Sequence, residues 1–175
     1  MKDNFNECLK AVLHHEGGFV NDPRDSGGIT NLGCTKAVWE EWVGHSVTEK
    51  IMRDLKPENV APLYKKRYWD RVKGDFLPNG LDYAVFDASI NSGSGRASKW
   101  LQEVLLVTID GSIGNQTLLA LKDHKIKSLI SQFNDTRLQF LEALPTWGAF
   151  GRGWSRRVSE VQSKASQMSE IKNDT

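Results

Sequence analysis

Apolar residues recur at helical spacing in Phe5, Cys8, Leu9, Val12 and Leu13, and Gly17 with Gly18 ends the pattern, so the sequence predicts a helix over 5–16. Asn4 with Glu7 resembles a capping box at its start. From there to Thr35 the periodicity vanishes. Pro23, Gly27, Gly28 and Gly33 stand among Asn, Asp, Ser and Thr, which predicts turns and a short β-hairpin around Gly28 to Cys34. No other stretch of the chain reads as strand.

Helical patterns then follow in close order. They run from Lys36 to Val43 with Gly44 as stop, from Thr48 to Leu55, from Pro57 through Trp69, and from Leu81 to Ser92 with Gly93 as stop. Residues 97–106 read as helix, and "IDGSIGNQT" as turns with Asn115 or Thr117 capping a short helix. A strong apolar stripe runs from Ile126 to Leu144 and Pro145 closes it. A last amphipathic stretch spans Gly153 to Met168, and the polar tail 169–175 is expected to fray. The predicted fold class is mainly α with a small β-hairpin, without βαβ alternation and so without a nucleotide-binding sheet.

At 175 residues the chain suits one domain, or one with a small second lobe. Its 39% hydrophobic and 26% charged residues are ordinary, and no apolar run is long enough to cross a bilayer, which argues against stable membrane insertion. The N-terminus shows no recognisable signal peptide, so synthesis in the cytoplasm is expected. The 23 basic residues against 22 acidic ones give no general pull toward nucleic acid, despite the local clusters "YKKRYWDR" and "GRGWSRR". Cys8 shares the apolar face of the first helix, which favours a buried thiol over a disulfide with Cys34.

"HHEGGF" lacks the second histidine that a helical zinc site needs, since position 19 is Phe, and no metal or cofactor is expected. No glycine-rich loop carries the Lys-Ser/Thr pair of a phosphate cradle, and neither Ser26 nor Cys34 has an obvious histidine partner. Glu16 differs. At a helix end its carboxylate meets unpaired carbonyls and the negative end of the helix dipole, which disfavour ionisation and suit a general acid. A surface glutamate in a last turn is the competing account. The segment that follows weighs against it, because Asp22, Asp25, Thr30 and Asn31 lie in one turn-rich excursion that can fold back toward Glu16. Glycosidic hydrolysis uses such an acid with a second carboxylate, at about 5 Å as nucleophile or at roughly 6.5 to 9.5 Å as activator of water.

The stretch "EGGFVNDPRDSGGITNLGCT" resembles the E-G-G-Y-V-N-D-P-x-D-x-G-G-x-T-N-x-G-I-T signature of glycoside hydrolase family 108, the N-acetylmuramidases. The likeness extends to "LYKKRYWDRV", "LPNGLDYAVFDASINSGSGRASKWLQ" and "DGSIGNQTLLAL", so it covers nearly the whole chain. Cys34 and Ser26 depart from the residues usual at their positions.

The resemblance implies a lysozyme-like fold and hydrolysis of the β-1,4 bond between N-acetylmuramic acid and N-acetylglucosamine. It also implies Glu16 as the catalytic glutamate. The Glu-Asp-Thr triad of phage-type lysozymes is similar to Glu16, Asp25 and Thr30, with Thr30 one residue early; Asp22 stays open as the second carboxylate. It further implies a catalytic region 1–93, a helical peptidoglycan-binding region 94–168 packed on it, and a polar tail 169–175.

Asp22, Asn31 and Asn91 are then candidate substrate contacts. So are Tyr68, Trp69, Trp147 and Trp154, whose rings suit sugar faces. Core packing competes for Trp69, helix capping for Asn91, and a solvated basic face for the arginines near Trp147 and Trp154. The expected partner is the peptidoglycan glycan strand, met by a monomer in the periplasm or wall, with a holin or another release system opening the way for wall lysis or toxin secretion. A non-catalytic peptidoglycan-binding module is the alternative, which "DGSIG" alone would permit.

Overall fold

The computed structural model describes residues 4–24 and 26–171. Their contacts divide them into two compact units, Asn6–Arg67 and a second comprising Tyr68 onward together with the N-terminal residues through Phe5.

In the first unit, α1 (Phe5–Glu16) buries Cys8, Leu9, Val12 and Leu13 along one face and ends at Glu16, where Gly17 turns left-handed with φ of 77°. Three short strands follow, β1 (Val20–Asn21), β2 (Ile29–Asn31) and β3 (Cys34–Thr35), in the antiparallel order β1-β2-β3. Val20 lies opposite Thr30, and Asn31 opposite Cys34. The expected hairpin is β2–β3, and β1 adds a third strand that the sequence does not announce, because two residues carry no periodicity. The turn between β2 and β3 is Leu32–Gly33, with φ of 51° and 74°; two consecutive positive values are what a two-residue turn needs to match strand twist.

Thr35 leads directly into α2 (Lys36–Val43), its hydroxyl accepting from the Val38 N–H at 3.2 Å, and Gly44 closes the helix in the left-handed region. Thr48 caps α3 (Glu49–Arg53) in the same way. Pro57 stands at the first position of α4 (Pro57–Tyr64), where its missing N–H costs nothing. One helix was expected from Pro57 through Trp69. Instead α4 stops at Tyr64 and a π-helical turn, Lys65–Trp69, carries the chain on.

The second unit is built round α5 (Leu81–Ser92), in which every residue from Leu81 to Ser89 is buried. Two acids in it are fully engaged. Asp82 accepts from the Gly80 and Tyr83 N–H groups at the helix start, and Asp87 lies between Arg137 and Arg157 at 2.7 and 2.9 Å. Burial alone would raise the Asp87 carboxyl; the two guanidiniums outweigh it and hold it below its ordinary value.

Around α5 pack α6 (Ser94–Val104), α8 (Ile126–Glu142) and α9 (Trp147–Glu170), while the short α7 (Asn115–Ala120) starts after Gly114. Neither Asn115 nor Thr117 caps that helix. Thr117 is buried and its hydroxyl accepts from Gln102, which also bonds Asp110, the Ser112 carbonyl and the Gly111 N–H and so ties down the whole "DGSIG" loop. α9 begins six residues before the expected Gly153. A Cβ on Gly151 would lie 2.5 Å from the Trp147 ring, so close packing explains the glycine at that position.

Candidate active site

Glu16, half-buried, is the last residue of α1. The β2–β3 turn comes against it so closely that a Cβ on Gly33 would lie 2.8 Å from Glu16 Oε2 and 2.9 Å from Glu16 Cβ. The same imagined methyl would lie 2.7 Å from the Tyr64 hydroxyl. Gly33 is therefore the point where the carboxylate, the phenol and the turn meet, and both its positive φ and its missing side chain are required. Tyr64, at the end of α4, donates to the Leu32 carbonyl at 2.7 Å and so holds the turn from the other side. A side chain at position 33 would displace the Glu16 carboxylate, so the glycine keeps the place of the acid beside the turn.

Thr30 lies half-buried in the middle strand, between Val20 and Thr35. Side chains alternate along a strand, so its neighbour Asn31 faces the other way. Asn31 is 4% exposed and donates its amide to the Met52 and Arg53 carbonyls at 2.8 and 3.2 Å. The expected substrate contact is thus an anchor that ties β2 to the end of α3.

Asp22 accepts from the Arg24 backbone N–H at 2.9 Å and from its guanidinium at 3.0 and 3.1 Å, bonds that hold its carboxyl below the ordinary value. Asp25 lies outside the described residues. Sequence reasoning passed over Tyr64 because, in "LYKKRYWDRV", it looks like any residue of an amphipathic helix. It also passed over Arg53, whose guanidinium covers the Phe19 ring at 4.1 Å.

Cys8 and Cys34 are both buried and form no disulfide, and desolvation pushes the Cys34 thiol up to about 11, the opposite of what a nucleophile needs.

The second unit holds the remaining candidates. Trp69 is not a sugar platform: it is fully buried, edge-on to Phe5 and Phe86 at 5.5 and 5.2 Å, with its indole N–H donating to Asp75 at 2.9 Å. Tyr68 is half-buried. Asn91 is exposed, but its Oδ1 accepts from Arg137 at 3.2 Å, one turn along from the Asp87 that binds the same guanidinium. Trp147 and Trp154 remain partly open, with ring centroids 6.2 Å apart. Phe150, which is 56% exposed and 5.6 Å from Trp154, extends them into an aromatic ridge along the first turns of α9. Arg152 and Arg156 are exposed beside it.

A family described as "Glycosyl hydrolase 108" matches residues 9–93, and one described as "Predicted Peptidoglycan domain" matches residues 96–159. The structure of Brucella abortus SagA is similar over 98% of this chain and 98% of its own, with 39% sequence identity and a TM-score of 0.85. No curated protein matches.

Proposed function

The chain belongs to the glycosyl hydrolase 108 family and is a peptidoglycan hydrolase of the glycosidase type; from that premise we propose that it cuts the β-1,4 bond between N-acetylmuramic acid and N-acetylglucosamine. The observation that carries the reading is Glu16, an acid at a helix end whose carboxylate has room beside the turn only because Gly33 carries no side chain. Glu16 protonates the leaving glycosidic oxygen. Asp25 or Thr30 stabilises the oxocarbenium-like charge that develops as the bond breaks, or orients the attacking water. The pairing of Asp22 with Arg24 favours those two over Asp22 as the second group.

Residues 1–93 supply the chemistry in this reading and 94–168 hold the wall. The Trp147–Phe150–Trp154 ridge offers faces for sugar rings, and Arg152 and Arg156 offer donors for peptidoglycan carboxylates. The protein acts at the wall or in the periplasm as a monomer, in wall lysis or in releasing a protein or toxin through the wall, reaching its substrate through a holin or another release system.

Mass spectrometry of digested peptidoglycan tests the bond. A reducing N-acetylmuramic acid end is expected; a reducing N-acetylglucosamine end, or free peptide, overturns the assignment. Glu16→Gln is expected to leave peptidoglycan intact, and clearing by that variant removes Glu16 from its role.

A further inference from the structure

Arg53 ends α3, and its backbone carbonyl accepts the Asn31 amide at 3.2 Å, so the helix end is tied to the last residue of β2. The pairing of Val20 with Thr30 brings Phe19 level with that same residue, at the end of the sheet where the Leu32–Gly33 turn begins. There the Arg53 guanidinium lies over the Phe19 ring, 4.1 Å from its centroid, and donates from Nη2 to Glu49 Oε1 at 2.8 Å. An exposed pair four residues apart in a helix stabilises little. The ring is what sets Arg53 apart. It belongs to the segment before β1, and it fixes the plane of the fork without using any of its donors. The side chain is 57% exposed, and among the described residues no acceptor other than Glu49 meets it.

Phe19 follows Glu16 by three residues, so their Cα atoms lie within about 11 Å of each other. Between them, a Cβ on Gly17 or Gly18 would meet nothing within 4 Å. The acid and the stacked cation thus flank one open stretch of bare backbone, against which a sugar ring can lie closely.

We propose that Arg53 sets the specificity of this site by binding a carboxylate on the lactyl arm of N-acetylmuramic acid, either the lactyl carboxylate itself or one on the peptide attached to it. That arm is what distinguishes the muramyl residue from N-acetylglucosamine, and a planar guanidinium takes a carboxylate through two parallel hydrogen bonds. Holding the arm at Arg53 fixes the register of the strand, so the bond presented to Glu16 is the muramyl one. The inference rests on the muramidase reading above and adds the contact that selects the bond.

The test titrates the full chain, followed by NMR, with three forms of the disaccharide N-acetylglucosaminyl-N-acetylmuramic acid: with the lactyl carboxylate free, with it converted to a methylamide, and with L-alanyl-D-glutamate attached. One of the two acidic forms is expected to bind about tenfold more tightly than the methylamide, the gain from one charge-assisted hydrogen bond, and which one does so tells the lactyl source from the peptide source. Arg53→Gln is expected to erase the difference while leaving the methylamide affinity and the melting temperature unchanged, because Asn31 holds the backbone at position 53 and not the side chain. Arg53→Lys keeps the charge without the fork and is expected to restore part of the difference.

A ratio of acid to amide affinity near one in the wild type, an unchanged ratio in Arg53→Gln, or an equal loss of acidic and neutral ligands in that variant each overturns the proposal. These disaccharides are products of the proposed cleavage and lack the bond it cuts. A ratio near one with muramyl cleavage intact therefore overturns this inference only. A tenfold ratio that Arg53→Gln erases, with glycan cleavage absent, overturns the muramidase reading only.

Discussion

The Tyr64 hydroxyl donates to the Leu32 carbonyl at 2.7 Å, and through that bond a helix end holds the turn on which Glu16 rests. Tyr64→Phe keeps the ring and removes the donor from a buried site. A stability loss of about 1 kcal/mol is expected, within the usual range for one hydrogen bond. Peptidoglycan cleavage is expected to fall further than that loss explains, because the turn can then shift away from the acid. Melting temperature and turbidity clearance measured on the same preparation check the two together.

Gly33→Ala puts a methyl where Glu16 Oε2 and Tyr64 Oη already lie within 2.8 and 2.7 Å, in a backbone conformation with φ of 74°. The expected cost is about 1–3 kcal/mol of strain. Gly28→Ala is the control: it also has a positive φ, but a methyl there meets nothing within 4 Å. Clearance assays on both variants are expected to show the larger loss at Gly33. Equal losses would mean that backbone strain, and not displacement of the acid, is responsible.

Asp87 carries a pH prediction. Its carboxyl is held below the ordinary 3.8 in the folded chain, so its contribution to stability is present above that value and is lost as pH falls through the lower, folded one. Thermal melts across acid pH are expected to show a decline that Asp87→Asn flattens. At neutral pH that variant leaves two guanidiniums without their shared carboxylate and is expected to cost about 3–5 kcal/mol.

Trp69 and Trp154 separate packing from recognition. Trp69→Ala empties the space between Phe5 and Phe86 and is expected to cost about 3–5 kcal/mol. Trp154→Ala, at a half-buried position on the ridge, is expected to leave the melting temperature closer to wild type while weakening sedimentation with insoluble peptidoglycan. A Trp154→Ala variant that binds sacculi as tightly as the wild type removes the ridge from glycan contact.

The helices were legible wherever a stop signal was local. α1 ends at Glu16 because two glycines follow, and α2 is bracketed by Thr35 and Gly44, so caps written in the chain became caps in space. The mainly α class followed from those helices and the single turn-rich excursion, and the lysozyme-like fold from the resemblance of that excursion to the hydrolase signature. What escaped depends on residues far apart in sequence. Asn31 reads as a sugar ligand until the carbonyls of α3 claim its amide, and Trp69 stays open between core and sugar platform until Phe5 and Phe86 close on it. At the candidate site the acid was visible as a helix end. Its seat was not, since nothing local connects Gly33 with Tyr64.

Asp87 belongs to the segment that matches the hydrolase family, and its two arginines belong to the segment that matches the peptidoglycan domain. The boundary between the two halves therefore runs through a buried charge cluster. Cutting the chain after Gly93 strands a carboxylate in the interior of α5, and grafting on a foreign wall-binding domain does the same unless the graft brings both guanidiniums. A recombinant that exchanges residues 94–168 therefore has to keep Arg137 and Arg157, or it leaves the Asp87 carboxylate without both of its guanidiniums.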